Sequence, residues 1–478
     1  MIGVSFNKFG YVENGEIDLN KLTILTGENN TGKTYVSYAV YGLIGSMKDV
    51  VIDNIVDGFE NITGSGVIVV NLREVLNKSF RKLLNKISSS YSENLHDIFS
   101  VSRETFKDSL IKLKIDNELF FKKLYEKYIE SIYIFPSIKG KDVKFEFSKE
   151  MNSFDLKVSY FNINNSDVQE RIFHMFCCKE ISEQVFDVIQ NNVFLLPAER
   201  AGLNLFYKEL NVNRNRIVHE MGKLKTNKID DRQYRQLSFF DLISERVSLY
   251  PKPISDYIEF LNKLDFYSKR ETTEFQGIAH EIQSDILKGK YEIDEKNIYF
   301  IPDLAEGNMD KRKINLHVSS STVKTFFGLV FYLKYMAEKG DCLIIDEPEL
   351  NLHPDNQRKI ARILVKIANK GINIIISTHS DYIIRELNNL IMLNNDFKDR
   401  DKLMQKYNYS EDELLSIEDI SAYLFTDNTI RAIEVNRYEG IIAETFDKVI
   451  NSFNESSDEI FYTLQEEMDC ECWCFYNI

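Results

Sequence analysis

Short apolar runs along the chain predict the strands of a buried sheet. The clearest runs are four or five residues long, rich in Ile, Leu and Val, and bounded by polar or turn residues: 22–26, 193–196, 342–345 and 372–376. Runs of this length and composition are typical of strands that are covered on both faces. The pattern therefore predicts an α/β fold with a central, mostly parallel sheet.

Other parts of the chain carry a helical or an alternating pattern. Apolar residues recur at helical spacing over 323–331, and helical segments also occur over 70–135. Alternation over 142–150 and 154–163 predicts the strands of a β-hairpin. A further, mainly helical region covers about 165–285 and lacks long heptad repeats, so a long coiled-coil arm is not expected.

Composition narrows the class of protein. The chain has 478 residues, of which 44% are hydrophobic and 28% charged, and its formal net charge is −15. These values predict an ordinary globular protein with a large core and more than one structural unit. Because the sequence shows neither a bilayer-length apolar run nor a secretion leader, we expect no membrane partner and a cytoplasmic location. The negative charge argues against a surface coated in nucleic acid but allows a local basic groove.

The segment after the first apolar run has the phosphate-loop pattern G-x-x-x-x-G-K-T. Its residues are Gly27, Glu28, Asn29, Asn30, Thr31, Gly32, Lys33 and Thr34. A predicted strand precedes it and a predicted helix over 35–43 follows it, which is the context that this pattern needs. In that arrangement backbone N–H groups turn toward phosphate oxygens, Lys33 reaches the β- and γ-phosphates, and the Thr34 hydroxyl binds Mg²⁺. The alternative is a glycine-bearing turn that matches the pattern by chance.

Two acidic residues and one histidine follow the later strands. Asp346 and Glu347 come directly after the third apolar run, and His379 comes shortly after the fourth. Ligands bind at the carboxyl ends of strands in open α/β sheets, so we expect all three beside the phosphate loop. Asp346 is the predicted Mg²⁺ ligand, Glu347 the catalytic base or water-orienting group, and His379 a sensor of the γ-phosphate. The alternatives are solvent-exposed carboxylates at a strand end and a structural histidine.

A run of hydroxyl side chains precedes the helical pattern that begins at Val323. Its members are Ser319, Ser320 and Ser321. Serine is a good N-cap, and a helix N-terminus can also bind an anion. Spacing alone favours simple capping.

Together these segments resemble the ABC-type ATPases of the RecF, SMC and Rad50 kind. They resemble more closely the compact OLD-like ATPases of bacterial anti-phage systems, such as those of the Septu and PARIS type. The resemblance is carried by FGYVENGEIDLNKLTILTGENNTGKT, VFLLPAERAGL, VSSSTVKT, CLIIDEPELNLHP and IIISTHS. It covers roughly residues 1–45 and 285–390, and the interior only at VFLLPAERAGL.

The resemblance implies a fold and a set of roles. The fold is an ABC-type P-loop ATPase head with a large, mainly helical insertion, and the active unit is a head-to-tail dimer or higher oligomer with ATP sandwiched between copies. The serines 319–321 would form the signature that contacts the partner's γ-phosphate, the loop 350–354 would cross the interface, and His379 would be the switch histidine. The usual signature contains a glycine pair that this chain lacks. No glutamine can be assigned to the loop that contacts Mg²⁺ in the family.

The expected organisation has four parts. Residues 1–65 hold the phosphate loop, 66–285 form the insertion, 286–395 hold the signature, the acidic strand end and the histidine, and 396–478 form an α/β extension with an acidic, cysteine-rich tail. The insertion is expected to contain the β-hairpin and the segment VFLLPAERAGL. Within that segment Arg200 either supports the nucleotide site or forms a structural salt bridge.

The resemblance also implies an enzyme that hydrolyses ATP with Mg²⁺. In a defence system it would act as the sensor or regulator of a separately encoded nuclease or toxin, because the sequence after His379 lacks the acidic strand ends of a two-metal Toprim nuclease. DNA or a phage protein is a further candidate partner. The alternatives are a chromosome-repair ATPase of the RecF kind, an ABC transporter motor, and an ATP-gated scaffold that hydrolyses slowly or not at all.

Two further segments have open interpretations. Basic residues concentrate over 208–235, which fits either a surface for a phosphate backbone or acidic partner, or simply a solvated face. The acidic tail contains the segment CECWC at 470–474, and its three thiols could bind a metal. A flexible tail is the more common meaning of such a sequence.

Overall fold

The apolar runs of the sequence form the centre of a nine-stranded sheet. The structure, a computed structural model, describes residues 2–47, 64–129, 138–139, 144–149, 153–163, 192–210, 250–294, 297–303, 313–442 and 452–465. Its strands, numbered in chain order, are β1 (Ile2–Phe9), β2 (Val12–Leu19), β3 (Leu22–Gly27), β4 (Gly64–Asn71), β5 (Leu110–Ile115), β6 (Ile138–Lys139), β7 (Lys144–Lys149), β8 (Asp155–Ile163), β9 (Val193–Leu196), β10 (Gly289–Asp294), β11 (Asn297–Pro302), β12 (Ile314–Asn315), β13 (Cys342–Asp346), β14 (Asn373–Ser377), β15 (Ile420–Thr426), β16 (Thr429–Ile433), β17 (Val435–Asn436) and β18 (Gly440–Ile441).

The helices of the described chain are α1 (Lys33–Met47), α2 (Leu72–Glu93), α3 (Leu95–Phe99), α4 (Asn117–Ile129), α5 (Arg200–Leu210), α6 (Lys252–Asn262), α7 (Leu264–Tyr267), α8 (Gln276–Glu281), α9 (Ser321–Tyr335), α10 (Pro354–Asn369), α11 (Asp381–Leu393), α12 (Arg400–Tyr407) and α13 (452–465). Short 3₁₀ turns and one π-helical segment lie between them, at Arg103–Phe106, Ile282–Leu287, Leu316–Val318, Glu411–Glu413 and Ile417–Asp419. None of the helices in these ranges combines the length and the apolar content that crossing a bilayer takes.

The central sheet has the strand order β5-β1-β2-β16-β15-β3-β14-β13-β9. The five neighbouring strands from β15 to β9 are all parallel, with Ile24 opposite Ile376 and Ile375 opposite Ile344. The strands β1, β2 and β5 form an antiparallel group at the other side. The predicted α/β fold with a central, mostly parallel sheet is confirmed, and its carboxyl edge collects the ends of β3, β13 and β14.

Several segments outside the two motif-bearing regions also join this sheet. The strands β5 and β9 lie inside the predicted insertion, and β15 and β16 lie inside the predicted C-terminal extension. Each of these strands pairs with at least one strand that is far away in sequence. The local sequence pattern does not specify such a partner. The predicted hairpin is present as the antiparallel pair β7–β8, in a second sheet of order β4-β8-β7-β6.

Burial explains why the parallel strands lie at the centre. The side chains of Ile24, Ile344 and Ile376 are each fully enclosed, and burying each contributes about 1.5–3 kcal/mol relative to exposure. Helix α1 packs against β3, β9, β13 and β14, and α10 packs against β14 and α11. These helices supply the apolar layers that a parallel sheet requires on its faces.

Candidate functional site

The loop between β3 and α1 has a backbone that demands its glycines. Gly27 has φ of 138°, and a Cβ atom there would lie 2.4 Å from the carbonyl oxygen of Phe425. Gly32 has φ of 101°. Side chains rarely adopt such angles without strain, so the two fixed glycines of the pattern are explained by local geometry. The loop ends where α1 begins at Lys33, which places a helix N-terminus at the same point.

The Lys33 side chain folds back over this loop. Its Nζ donates hydrogen bonds to the carbonyl oxygens of Gly27 at 3.0 Å and Glu28 at 2.6 Å. Lys33 is only 6% exposed, and this burial lowers its pKa to about 8, opposed by the nearby carboxylates of Asp346 and Glu347. An ammonium group held in this way is suited to contact a phosphate.

Thr34 and Asp346 meet although they are 312 residues apart in sequence. The Thr34 hydroxyl donates to Asp346 Oδ2 at 3.0 Å, and Asp346 Oδ1 accepts a short hydrogen bond from the Ser377 hydroxyl. A hydroxyl and a carboxylate oxygen side by side suit Mg²⁺, which usually takes few protein ligands and completes its shell with water and phosphate oxygens. The described chain contains no cluster of three or more His, Cys, Asp or Glu residues placed to hold a metal. The hydroxyl of Thr34 and the carboxylate of Asp346 are oxygen donors of the kind that Mg²⁺ takes beside a nucleotide.

Glu347 has an unusual backbone conformation at the end of β13. Its φ is 52°, in the left-handed region that non-glycine residues rarely occupy. Its N–H donates to the Ser377 carbonyl at 3.1 Å. Burial, and then the charge of Asp346, raise the pKa of the Glu347 carboxyl. A carboxylate with a raised pKa at this edge is able to accept a proton from water.

His379 lies at the same edge, shortly after β14. Its ring is partly buried, and its pKa is lowered from 6.5 by this burial and then by the charge of Lys33. Asp346 acts in the opposite direction on the same pKa, and His379 lies two residues after Ser377, which is opposite Asp346 in the sheet. The structure thus brings Lys33, Thr34, Asp346, Glu347 and His379 together, and their individual roles stay predictions.

Arg200 forms hydrogen bonds that the sequence did not specify. It is 2% exposed, and its guanidinium donates to the carbonyl oxygens of Pro197 at 2.9 Å, Asp346 at 2.6 Å and Glu347 at 2.6 Å. Burial lowers its pKa. Arg200 therefore holds the main chain of the acidic strand end. The sequence reasoning also gave no role to Glu349, although the segment 348–349 carried an acidic signal next to Glu347.

The three serines of the predicted signature lie at the start of α9. Ser320 is the N-cap, accepting a hydrogen bond from the Val323 N–H at 3.3 Å, and the Ser319 hydroxyl donates to Asn315 at 3.1 Å. Within the described ranges, the hydrogen bonds of these serines stay in their own segment and do not reach the phosphate loop. The capping interpretation accounts for Ser320, and the signature role of 319–321 stays a prediction.

Two sequence features fall largely outside the described residues. The basic segment is described only up to residue 210, which includes Lys208 but none of its arginines. The CECWC tail lies beyond residue 465 and is also outside the described part of the chain. The interpretations of both segments therefore stay predictions.

Comparison with known proteins places the chain in one family. A family model described as an AAA ATPase domain matches residues 3–384. A solved SMC head domain with an extended coiled coil, bound to the C-terminal domain of ScpA from Pyrococcus furiosus, is 13% identical over 95% of this chain and 100% of that chain, with a TM-score of 0.31. The SMC head domain from Thermotoga maritima is 9% identical over 91% of this chain and 98% of that chain, with a TM-score of 0.29. Among curated proteins no relative matches the chain.

Proposed function

The chain belongs to the AAA ATPase domain family, and on that premise we propose that it binds ATP with Mg²⁺ and hydrolyses it at the carboxyl edge of the central sheet. The observation that carries the proposal is the meeting of Thr34 and Asp346, 3.0 Å apart across 312 residues of sequence. A phosphate-loop hydroxyl and a strand-end carboxylate must lie close together if they share one Mg²⁺ ion. A chance match of either motif would not bring the two together.

Each residue of the site has a chemical role in this proposal. The loop 27–34 holds the phosphates through its N–H groups, and Lys33 neutralises charge on the β- and γ-phosphates. Thr34 and Asp346 would hold a Mg²⁺ ion, which would supply positive charge that stabilises the phosphate oxygens. Glu347 orients the attacking water and accepts its proton, and His379 contacts the γ-phosphate.

Nucleotide binding and hydrolysis by the wild type and by a phosphate-loop variant test this proposal. Wild type should bind and hydrolyse Mg-ATP, and Lys33→Ala should bind it at least about tenfold more weakly and lose hydrolysis, since a charged phosphate contact is removed. Lys107→Ala is the matched control, because Lys107 and its acidic partner are largely exposed. Calorimetric titration and phosphate release measure both properties. Failure of the wild type to bind ATP would overturn the proposal.

A second copy is proposed to complete the site in a head-to-tail ATP sandwich. The support is a surface in which the start of α9 and the loop 350–354 are joined, because the Thr322 hydroxyl donates to the Asn351 carbonyl at 2.8 Å. Ser320 and Ser321 are exposed on the same surface, whereas Ser319 beside them is buried; in this proposal the start of α9 would reach the γ-phosphate of the other copy. A homodimer or a higher oligomer built from this contact would hydrolyse ATP only when assembled.

Mixing two inactive variants tests the sandwich. Ser321→Tyr blocks the serine surface at an exposed residue that is not the N-cap, and Lys33→Ala disables the phosphate loop. Each variant alone should be inactive, whereas an equal mixture contains mixed dimers with one intact composite site and should recover up to about a quarter of wild-type activity. A mixture that stays inactive would argue against a site shared between copies.

The proposed cellular role is that of a sensor or regulator in a bacterial anti-phage defence system, located in the cytoplasm and controlling a separately encoded nuclease or toxin. The support is the motif set that resembles the compact OLD-like ATPases, and the four-part organisation bounded at 65, 285 and 395 is part of the same proposal. DNA or a phage protein would be the trigger. Phage protection that requires both Lys33 and an adjacent gene would support this role. Turnover stimulated by DNA, and lost when the basic residues between 214 and 235 are neutralised, would favour the repair alternative instead.

A further inference from the structure

Glu349 links the two strand ends that carry the acidic pair and the histidine. It follows the strand β13 by three residues, and its Oε1 accepts hydrogen bonds from the Thr378 hydroxyl at 2.8 Å and from the His379 N–H at 2.7 Å. Both donors belong to the segment that follows β14. Since β13 and β14 are parallel neighbours with Asp346 opposite Ser377, the Glu349 carboxylate bridges the two chains just after they leave the sheet.

The residues on either side of His379 are fixed by further hydrogen bonds. Thr378 is fully buried, and its Oγ1 also accepts the Ser380 N–H at 3.0 Å. Ser380 is the N-cap of α11, since its hydroxyl oxygen accepts the Ile383 N–H at 3.1 Å. The main chain at His379 is therefore held between Glu349 on one side and the start of a helix on the other.

We infer that Glu349 is a positioning residue that sets the orientation of His379 toward the phosphate loop. The inference rests on the proposed ATPase function and assigns the second glutamate of the segment 346–349 a role different from that of Glu347. Glu349 acts through hydrogen bonds to the main chain at His379 and does not touch the nucleotide. Its negative charge is not what the role requires, because Oε1 alone accepts both bonds.

The second carboxylate oxygen of Glu349 supports the conclusion that its hydrogen bonds, and not its charge, position His379. Glu349 Oε2 is buried and accepts no hydrogen bond from the described part of the chain. Burial also raises the pKa of this carboxyl group. A neutral amide with one carbonyl oxygen could therefore replace the carboxylate, whereas a shorter acid could not reach both donors. Substitution of Glu349 by glutamine therefore tests the charge, and substitution by aspartate tests the hydrogen-bond contact.

Two variants of the full-length protein test the inference. Glu349→Gln keeps the accepting oxygen and removes the charge, and it should keep kcat within about threefold of wild type. Glu349→Asp keeps the charge and retracts the oxygen, and it should lower kcat by about 10- to 100-fold, since a misplacement of about 1 Å has that effect. ATP affinity should be unchanged in both, because the phosphate loop is untouched. Glu104→Asp is the control, because Glu104 is exposed.

A double variant separates positioning from a direct role. If Glu349 acts through His379, Glu349→Asp should add no further loss of kcat in a His379→Ala background. Losses that multiply in the double variant would overturn the inference, and so would an aspartate variant as active as wild type. A glutamine variant as inactive as the aspartate variant would show that the charge is needed and would overturn it as well.

Hydrogen exchange provides a readout that does not depend on activity. In the nucleotide-free protein the His379 amide should be protected in wild type and in Glu349→Gln, and should exchange faster in Glu349→Asp. Equal protection in all three would overturn the inference. A wild-type protein that shows this pattern but hydrolyses no ATP would refute the proposed function while leaving the contact between Glu349 and His379 established.

Discussion

Replacing Arg200 by methionine should destabilise the protein and disturb the acidic strand end together. Methionine has an unbranched side chain and no hydrogen-bond donor, so the carbonyl oxygens of Pro197, Asp346 and Glu347 lose the guanidinium that now binds them. The site is buried, with Arg200 2% exposed, so water does not readily replace these bonds. The effect should therefore exceed that of an ordinary surface substitution.

The size of the effect follows from opposing contributions. Hydrogen bonds to a charged group contribute about 1.5–3 kcal/mol each, so three of them give about 4.5–9 kcal/mol. Burying the cation costs several kcal/mol, and methionine avoids that cost. The net loss in the free energy of unfolding should be about 2–4 kcal/mol. Glu347 should also relax from its φ of 52°, a conformation that costs about 1–3 kcal/mol, and kcat should fall by about 10- to 100-fold.

Guanidinium unfolding monitored by fluorescence, together with ATP turnover, measures both effects. Arg431→Met is the matched control, because the Arg431 side chain is 62% exposed and pairs with an exposed aspartate; it should change the stability by less than about 0.5 kcal/mol. Arg200→Lys should retain part of the stability, since one ammonium reaches fewer of the carbonyl oxygens. An Arg200→Met protein with wild-type stability and wild-type turnover would refute the reasoning.

Three further outcomes are expected. Asp346→Asn should raise the Mg²⁺ concentration for half-maximal turnover by about tenfold or more, and an unchanged Mg²⁺ titration would contradict this. The His379 ring should titrate below 6.5 by NMR because burial and then Lys33 lower its pKa, and Lys33→Met should move that pKa upward; titration at or above 6.5 in the wild type would be inconsistent. Arg362→Met should lower the free energy of unfolding by about 2–3 kcal/mol, because the Glu386 carboxylate that Arg362 contacts at 2.5 Å is 1% exposed. Arg385→Met should lower it by less than about 0.5 kcal/mol, because Arg385 is largely exposed. Equal costs for the two arginines would refute the burial argument.

The sequence predicts the parts of the site whose chemistry depends on local backbone geometry. Gly27 and Gly32 adopt positive φ angles, so the spacing of the two glycines in the sequence identifies the loop. The acidic pair and His379 follow apolar runs whose short length and content of β-branched residues favour buried strands. The fold class was predictable for the same reason, since the short apolar runs leave little alternative to a covered sheet.

The contacts of Arg200 and Glu349 were not predictable in this way. Their partners are mainly main-chain groups, the carbonyl oxygens of Asp346 and Glu347 and the N–H of His379. Every residue has such groups, so the partner sequence carries no mark of the contact. The positions of β5, β15 and β16 in the sheet were hidden for a related reason, because a short strand pattern does not specify its neighbour.

The topology explains how a long intervening chain leaves the site intact. The phosphate loop, the acidic pair and His379 each follow a strand of one parallel set, and the carboxyl ends of such strands share an edge whatever lies between them in sequence. Extending a surface connection costs little, because loop-closure entropy grows only slowly with length. The serines 319–321 do not obey this rule, since the strand before them, β12, belongs to the separate sheet β10-β11-β12. If these serines contact a phosphate, the sheet of their own copy does not direct them to it, which is the structural reason to look for that phosphate on a second copy.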